Sequence, residues 1–214
     1  MKPMAEEGSD MDLPELSFPE KERKHVQSRY DAAEVILEYG SGGSTAYAAS
    51  RPSKLIFSVE SDFDWAIGLQ RALDTSALPS QALIYYVDIG ATGDWGRPVN
   101  ASKWTQFYRY PLAVWDEAFF RMPDLVLIDG RFRPGCFVAT CLRLTRPATI
   151  LFDDYVNRKQ YHHVERFFKP TRRIGRMAEF EVEPRKYSRD EVSEMVGYFF
   201  EASYAQAPAQ PVTA

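Results

Sequence analysis

Cysteine is nearly absent. The chain has two, Cys136 and Cys141, and their spacing matches no metal-binding or disulfide-exchange motif. Both fall in an apolar, helix-like stretch, so they are expected as core thiols in a reducing compartment. Basic excess is absent too: 26 Lys and Arg stand against 30 Asp and Glu, for a net charge of -4. Attraction to a nucleic-acid backbone is therefore not expected. The basic clusters at 21–24 and 172–173 sit among acids and read as solvated surface. No apolar run reaches the roughly 18 residues that span a bilayer. The first residues are acidic and carry proline, unlike the basic-then-apolar pattern of a secretory signal. A soluble, cytoplasmic protein with neither a membrane nor a nucleic-acid partner is the expectation. At 214 residues the chain has room for one domain with a sizeable core and is tight for two.

What is present is an alternation of short apolar runs with helical stretches. Residues 1–19 are polar, acidic and broken by Pro3, Pro14 and Pro19, and are expected as a flexible lead-in. Residues 20–204 are expected as a single domain, and 205–214, alternating Ala, Gln and Pro, as a disordered tail. Strands are predicted over 35–39, 54–60, 82–88, 124–129 and 148–153. Helices are predicted over 44–49, 62–73, 111–120, 133–144 and 158–168. The runs 125–128 and 149–152 are continuously apolar, as strands covered on both faces must be. Such alternation argues for a parallel α/β sheet. The pattern then changes. Segments 171–174 and 177–182, joined at Gly175-Arg176, can pair as an antiparallel hairpin. A last helix is predicted over 189–202, with Ser188 as its N-cap and Glu191 as the box partner. The expected fold is a Rossmann-like three-layer α/β/α sandwich: a mostly parallel seven-stranded sheet ending in an antiparallel hairpin. Residues 90–110 fit no element. They are rich in Gly and aromatics, and a long aromatic loop of this kind is expected as an ordered cover over a ligand site.

Open α/β sheets bind ligands outside the carboxyl ends of their strands. The first strand runs into Glu38-Tyr39-Gly40-Ser41-Gly42-Gly43-Ser44-Thr45. Glycines here permit a tight turn and close approach of the backbone to a ligand. The dinucleotide fingerprint would need a third glycine where Thr45 stands. The second strand ends at Glu60, about the 20 residues beyond Gly40 expected of a nucleotide-binding unit, where a carboxylate can accept both ribose hydroxyls. Asp62 fits better as a helix N-terminal charge. The third strand ends at Asp88, the fourth at Asp129-Gly130-Arg131-Phe132-Arg133, and the fifth at Asp153-Asp154-Tyr155.

The glycine-rich turn, with an acid two places before its first glycine, resembles the first motif of class I S-adenosylmethionine-dependent methyltransferases. The resemblance spans about residues 35–167. It implies S-adenosylmethionine (SAM) as cofactor, held by Glu38, Gly40, Ser41, Gly42, Gly43, Ser44, Glu60, Asp88 and Asp129. Within that class the segments at 128–131 and 153–155 are similar to bacterial proteins near the cephalosporin hydroxylase and rhamnosyl O-methyltransferase group. They are similar also to catechol-type O-methyltransferases. The latter likeness implies Asp129, Asp153 and Asp154 as ligands of a divalent cation such as Mg2+. Three convergent carboxylates need either a cation or arginines, and Arg131, Arg133 and Arg158 are near in sequence. One departure stands out. Catechol-type enzymes place a basic lysine just after the fourth-strand acid, whereas this chain has Arg131 and Arg133, which stay protonated. The catalytic candidates are then Asp129, Asp154 and Tyr155, with His162 behind them.

The function expected is methyl transfer to an oxygen nucleophile of a small molecule, sugar-like or anionic. Two other readings stay open: a non-catalytic methyltransferase-like protein that binds a nucleotide-type ligand, and a dinucleotide-dependent oxidoreductase. Tyr198, Phe199 and Phe200 give the last helix an apolar side, for the sheet or for a second copy in a homodimer.

Overall fold

The computed structural model describes residues 11–205; residues 1–10 of the expected lead-in and 206–214 of the expected tail lie outside the described residues. Helix α1 (Glu20–Ala32) leads into β1 (Val35–Tyr39), α2 (Gly43–Ala49), β2 (Leu55–Glu60), α3 (Phe63–Thr75) and β3 (Gln81–Tyr86). A two-residue ladder of β4 (Thr92–Gly93) with β5 (Arg97–Pro98), then the turn α4 (Arg109–Leu112), precede β6 (Leu125–Ile128). The chain continues through α5 (Arg133–Arg143), β7 (Ala148–Phe152), β8 (Arg172–Ile174), β9 (Met177–Val182) and α6 (Arg189–Tyr198).

Seven strands form one sheet in the order β3-β2-β1-β6-β7-β9-β8. The first five are parallel, and β9 runs antiparallel to both β7 and β8. This is the mostly parallel sandwich with a C-terminal hairpin that the sequence pattern indicates. The chain winds outward from β1 to β3 and returns beside β1 as β6, so the strand order reverses between β1 and β6. A crevice opens at such a switch point, outside the carboxyl ends of the strands.

Burial explains the continuous apolar runs. Leu125 and Leu127 enter the core on one side of the sheet, and Val126 and Ile128 the core on the other. The first core takes Val26 and Tyr30 of α1, Ala48 of α2 and Leu69 of α3. The second takes Phe137 and Val138 of α5 and Met195 of α6. Helix α1 buries Glu22, Val26 and Tyr30, a spacing of four that keeps them on one face. Helix α6 starts with the expected reciprocal box: the Glu191 amide donates to Ser188 Oγ (3.2 Å) and the Ser188 amide to Glu191 Oε2 (2.8 Å).

Three segments differ from expectation. The helix expected over 111–120 is only the short turn α4 followed by a 3-10 turn (Ala113–Asp116), because Pro111 supplies no amide donor and the Glu117 amide closes on Val114. The helix expected over 158–168 is a 3-10 segment (Lys159–Arg166), closed by amides reaching three residues back, Tyr161 to Arg158 and Phe167 to Val164. Residues 11–18 of the expected flexible lead-in are packed: Phe18 is buried, and Met11, Leu13 and Leu16 rest against the same core. Four apolar side chains in eight residues offset the ordering entropy that proline and acid content alone would leave uncovered. No helix among the described residues is long and apolar enough to cross a membrane.

Candidate functional site

The carboxyl ends of β1, β2 and β6 open into a cavity of about 480 Å3, a size typical of small-molecule sites. Its floor is the glycine-rich turn. Gly40 has φ +100°, and a Cβ there would lie 2.8 Å from the Gly130 Cα, so the ends of β1 and β6 meet as bare backbone. The Trp65 indole donates to the Ser41 carbonyl (3.1 Å) and pins the turn from α3. Residues 14–18 form a strap along one side of the mouth. A Cβ on Gly43 would lie 1.9 Å from the Glu15 carbonyl oxygen, so this glycine is what admits the strap. Trp95 and Gly96, from the expected cover loop, frame the other side. That loop is tied down by Ser61 Oγ, which donates to the Gly96 carbonyl (2.9 Å).

Glu60, at the end of β2, faces this cavity and is only 8% exposed. Its Oε1 accepts the amides of Ser61 (2.6 Å) and Asp62 (3.0 Å), and its Oε2 the Ser41 hydroxyl (3.0 Å). Neutral donors thus hold the carboxylate in place. Asp62 caps α3 through the Trp65 amide (3.0 Å), the helix role read from the sequence. Gly40, Ser41, Gly42, Gly43, Ser44, Glu60 and Asp129 all line the one cavity. Its donor set fits SAM: a glycine floor at a β1–α2 turn, a carboxylate at the second strand end, and indole surface at the mouth.

A methyltransferase-like protein from Silicibacter pomeroyi is 46% identical, with a TM-score of 0.84 over 88% of this chain and 98% of that one. The chain belongs to this methyltransferase-like family. An O-methyltransferase of tomaymycin synthesis from Streptomyces achromogenes, in complex with SAM, matches at 15% identity (TM-score 0.53; 81% of this chain, 84% of that one). An O-methyltransferase from Bacillus cereus, in complex with SAH, also matches at 15% (TM-score 0.52; 80% and 84%). At that identity they share the fold, which is that of class I SAM-dependent methyltransferases. No family model and no curated protein matches the sequence. Family and strand order together replace the oxidoreductase alternative.

In this methyltransferase-like protein several expected site residues have other work. Glu38 is fully buried and does not reach the cavity. It accepts hydrogen bonds from the hydroxyls of Tyr30 (2.7 Å) and Thr45 (2.5 Å), and the Gly42 amide donates to Thr45 Oγ1 (3.0 Å). Its job is to brace the turn. Burial raises its pKa, and the two hydroxyls counter that. Asp88 lies past the end of β3, paired with Lys103 and accepting the Gly90 amide (2.8 Å). Lys103 first, then that amide, hold its pKa below the usual range. It fastens the cover loop and does not line the cavity.

The three aspartates after β6 and β7 are matched by arginine. Asp153 is fully buried, with Oδ1 on Arg176 Nε (2.9 Å) and Oδ2 on Arg176 Nη2 (2.7 Å). Asp154 pairs with Arg158 (2.8 Å), Arg133 (3.3 Å) and Arg176 (3.4 Å). Asp129 pairs with Arg133 (3.0 Å). Among the described residues no group of three or more His, Cys, Asp or Glu could hold a metal ion. Asp129, Asp153 and Asp154, expected as Mg2+ ligands, are thus not brought together as a metal-ligating group: Arg176 forks Asp153, and the other two are turned to arginines. Tyr155, expected as a catalytic candidate, does not line the cavity. It is buried, donates to Glu165 (2.8 Å) and stacks on His162, whose Nε2 meets the Tyr155 carbonyl (3.0 Å). Of the catalytic candidates, Asp129 alone faces the cavity. Burial raises its pKa, the charges of Asp153 and Asp154 add to this, and Arg133 opposes it.

The sequence pattern does not single out the strap, Trp65 or Arg176, and it gives Gly130 only as part of a strand-end segment and Tyr110 only as the end of the cover loop. Tyr110 Oη donates to the Val59 carbonyl (3.1 Å) and lines the cavity, reaching it from a segment with no strand or helix pattern. Arg176 was visible as a hairpin-turn residue, but nothing local tied it to Asp153.

Proposed function

We propose that the protein transfers a methyl group from SAM to an oxygen nucleophile of a small-molecule acceptor. The observation that carries this is the sharing of one cavity by the glycine turn, Glu60 and Asp129. Gly40, Gly42 and Gly43 admit the cofactor's amino-acid end, and Glu60 accepts the ribose hydroxyls. The cofactor, when bound, supplies an electrophilic methyl on a sulfonium, so no acid is required for the leaving group. Asp129 then accepts the proton of the acceptor hydroxyl. A carboxylate with a raised pKa suits that task, because a base works best near the operating pH. Arg133, held by the carbonyls of Gly130 (3.1 Å), Asp129 (2.7 Å) and Asp153 (2.7 Å), fixes that carboxylate. The strap narrows the mouth, and alignment of the acceptor supplies much of the rate. No step is assigned to a metal.

Calorimetric titration with SAM and SAH tests the reading. Binding with a Kd on the order of micromolar is expected, weakened about tenfold or more in Glu60→Ala. Failure of the wild-type protein to bind either compound would remove the assignment. A second reading, a cofactor-binding protein without turnover, is favoured by one feature: Arg131 stands where catechol-type enzymes carry their basic lysine. Loss of methyl transfer in Asp129→Asn, with SAH affinity kept, would decide against it.

A further inference from the structure

Five arginines surround the acids and the cavity mouth, and they divide into two kinds. Arg133, Arg158 and Arg176 each lie within ion-pair distance of an aspartate. Arg131 and Arg97 do not. Among the described residues neither guanidinium has an ion-pair or hydrogen-bond partner, and the Nε of each is buried without one. Arg131 lines the cavity, and Arg97 follows the cavity-lining Gly96 at the start of β5. The two are close enough that Arg97 adds to the burial and the Arg133 charge that lower the Arg131 pKa. Two half-buried, mutually repelling guanidinium groups, each with a buried Nε that has no partner, are costly to hold, and a ligand that brings negative charge relieves both at once.

A second feature lies beside them. Trp95 lines the same cavity but is 82% exposed, and its φ of 63° is in the left-handed region that non-glycine residues rarely adopt. Strained backbone is retained mostly where it aims a group at a ligand. Here it leaves an exposed indole at the mouth, two residues before Arg97.

We infer that Arg131 and Arg97 form an anion subsite for a carboxylate or phosphate on the methyl acceptor, with Trp95 stacking on the acceptor's ring. This rests on the methyltransferase reading for the word acceptor, but not for the existence of the subsite. Arg131 and Asp129 line the same cavity, so an anion anchored on Arg131 brings a neighbouring hydroxyl within the space that carboxylate faces.

The test uses phenyl phosphate and its neutral counterpart phenol, titrated calorimetrically at constant ionic strength with and without SAH. The wild-type protein is expected to bind phenyl phosphate at least about tenfold more tightly than phenol. Arg131→Gln and Arg97→Gln should each cut that preference to about threefold or less, with SAH affinity kept within about twofold. Arg131→Lys should restore part of the preference, and unchanged melting temperatures would show that the variants fold. Trp95→Ala should weaken phenol and phenyl phosphate alike. Equal binding of the two probes by the wild-type protein would overturn the inference, as would a preference that survives in both Gln variants. A tenfold loss of SAH in Arg131→Gln, on the order of 1.4 kcal/mol, would overturn it too, giving that guanidinium to the cofactor's own carboxylate. If SAH binds nowhere, the methyltransferase reading fails, and the phenyl phosphate arm on the cofactor-free protein still decides the subsite.

Discussion

The acids at the β1–β2 ends and those at the β6–β7 ends are the same kind of group held in opposite ways. Glu38 and Glu60 are surrounded by hydroxyls and backbone amides. Asp129, Asp153 and Asp154 are surrounded by Arg133, Arg158 and Arg176. Neutral donors orient a carboxylate without cancelling its charge, so Glu60 stays a good acceptor for a neutral diol. Guanidinium forks cancel charge within the protein, and what they build is a rigid wall. Asp129 stands between the two regimes: it has one arginine and also an open side toward the cavity. That half-compensated position is what makes it the candidate base, while the fully clamped Asp153 is structural.

The largest effect should come from breaking the clamp. Arg176→Ala leaves Asp153 buried with no fork, and unpairing a buried charge costs about 3–5 kcal/mol. The Arg176 side chain is itself 35% exposed, so water can enter after truncation and the lower end, about 3 kcal/mol, is expected in urea unfolding. Adding Asp153→Asn should recover more than half of the loss. A loss under about 1 kcal/mol would mean that the β6–β7 acids are no more dependent on arginine than Glu60 is.

Next in size is the neutral side. Glu38→Gln keeps the shape but replaces one acceptor oxygen by an amide NH2, a donor, so the side chain no longer accepts a hydroxyl at both ends. A cost of about 1–2 kcal/mol is expected, with the glycine turn loosened and SAH affinity reduced through it. Glu60→Gln should do the reverse: little change in unfolding free energy, and an SAH affinity about tenfold lower. If Glu60→Gln destabilised the fold as much as Glu38→Gln while leaving affinity intact, Glu60 would be a brace and not a ligand.

The same contrast explains what could be read from the sequence. The strands, the hairpin, the α6 box and the glycine turn are local patterns of two to eight residues, and local patterns survive in one dimension. The placement of Glu60 and Asp129 at one cavity was legible because strand ends converge by topology. The clamp on Asp153 was not legible because its partner Arg176 lies across the antiparallel β7–β9 pair, 23 residues away. Glu38 was misread because the Tyr30 hydroxyl reaches it from α1, a helix whose placement over β1 no motif announces. The strap carried a signal in Met11, Leu13, Leu16 and Phe18, hidden by the prolines and acids between them.

The smallest expected effect is also the sharpest test of Asp129. Burial raises its pKa in the fold, whereas in the unfolded chain it titrates near the ordinary aspartate value of about 4. Between those two values the folded protein holds a proton that the unfolded chain has released. Unfolding free energy therefore falls as pH rises through that window and levels off above the raised pKa. Asp129→Asn removes this dependence. The stability of the variant relative to wild type should then rise from pH 4 to pH 8, by less than about 1 kcal/mol, because the Asp129 side chain is 35% exposed and screened by water. Urea midpoints of both proteins at several pH values measure the difference directly, and subtraction removes the opposing slope of acids such as Glu179, whose pKa Arg29 and His25 hold down against the effect of burial. A flat difference would mean that Arg133 neutralises Asp129 as fully as Arg176 neutralises Asp153, and the base would then have to be sought on the acceptor itself.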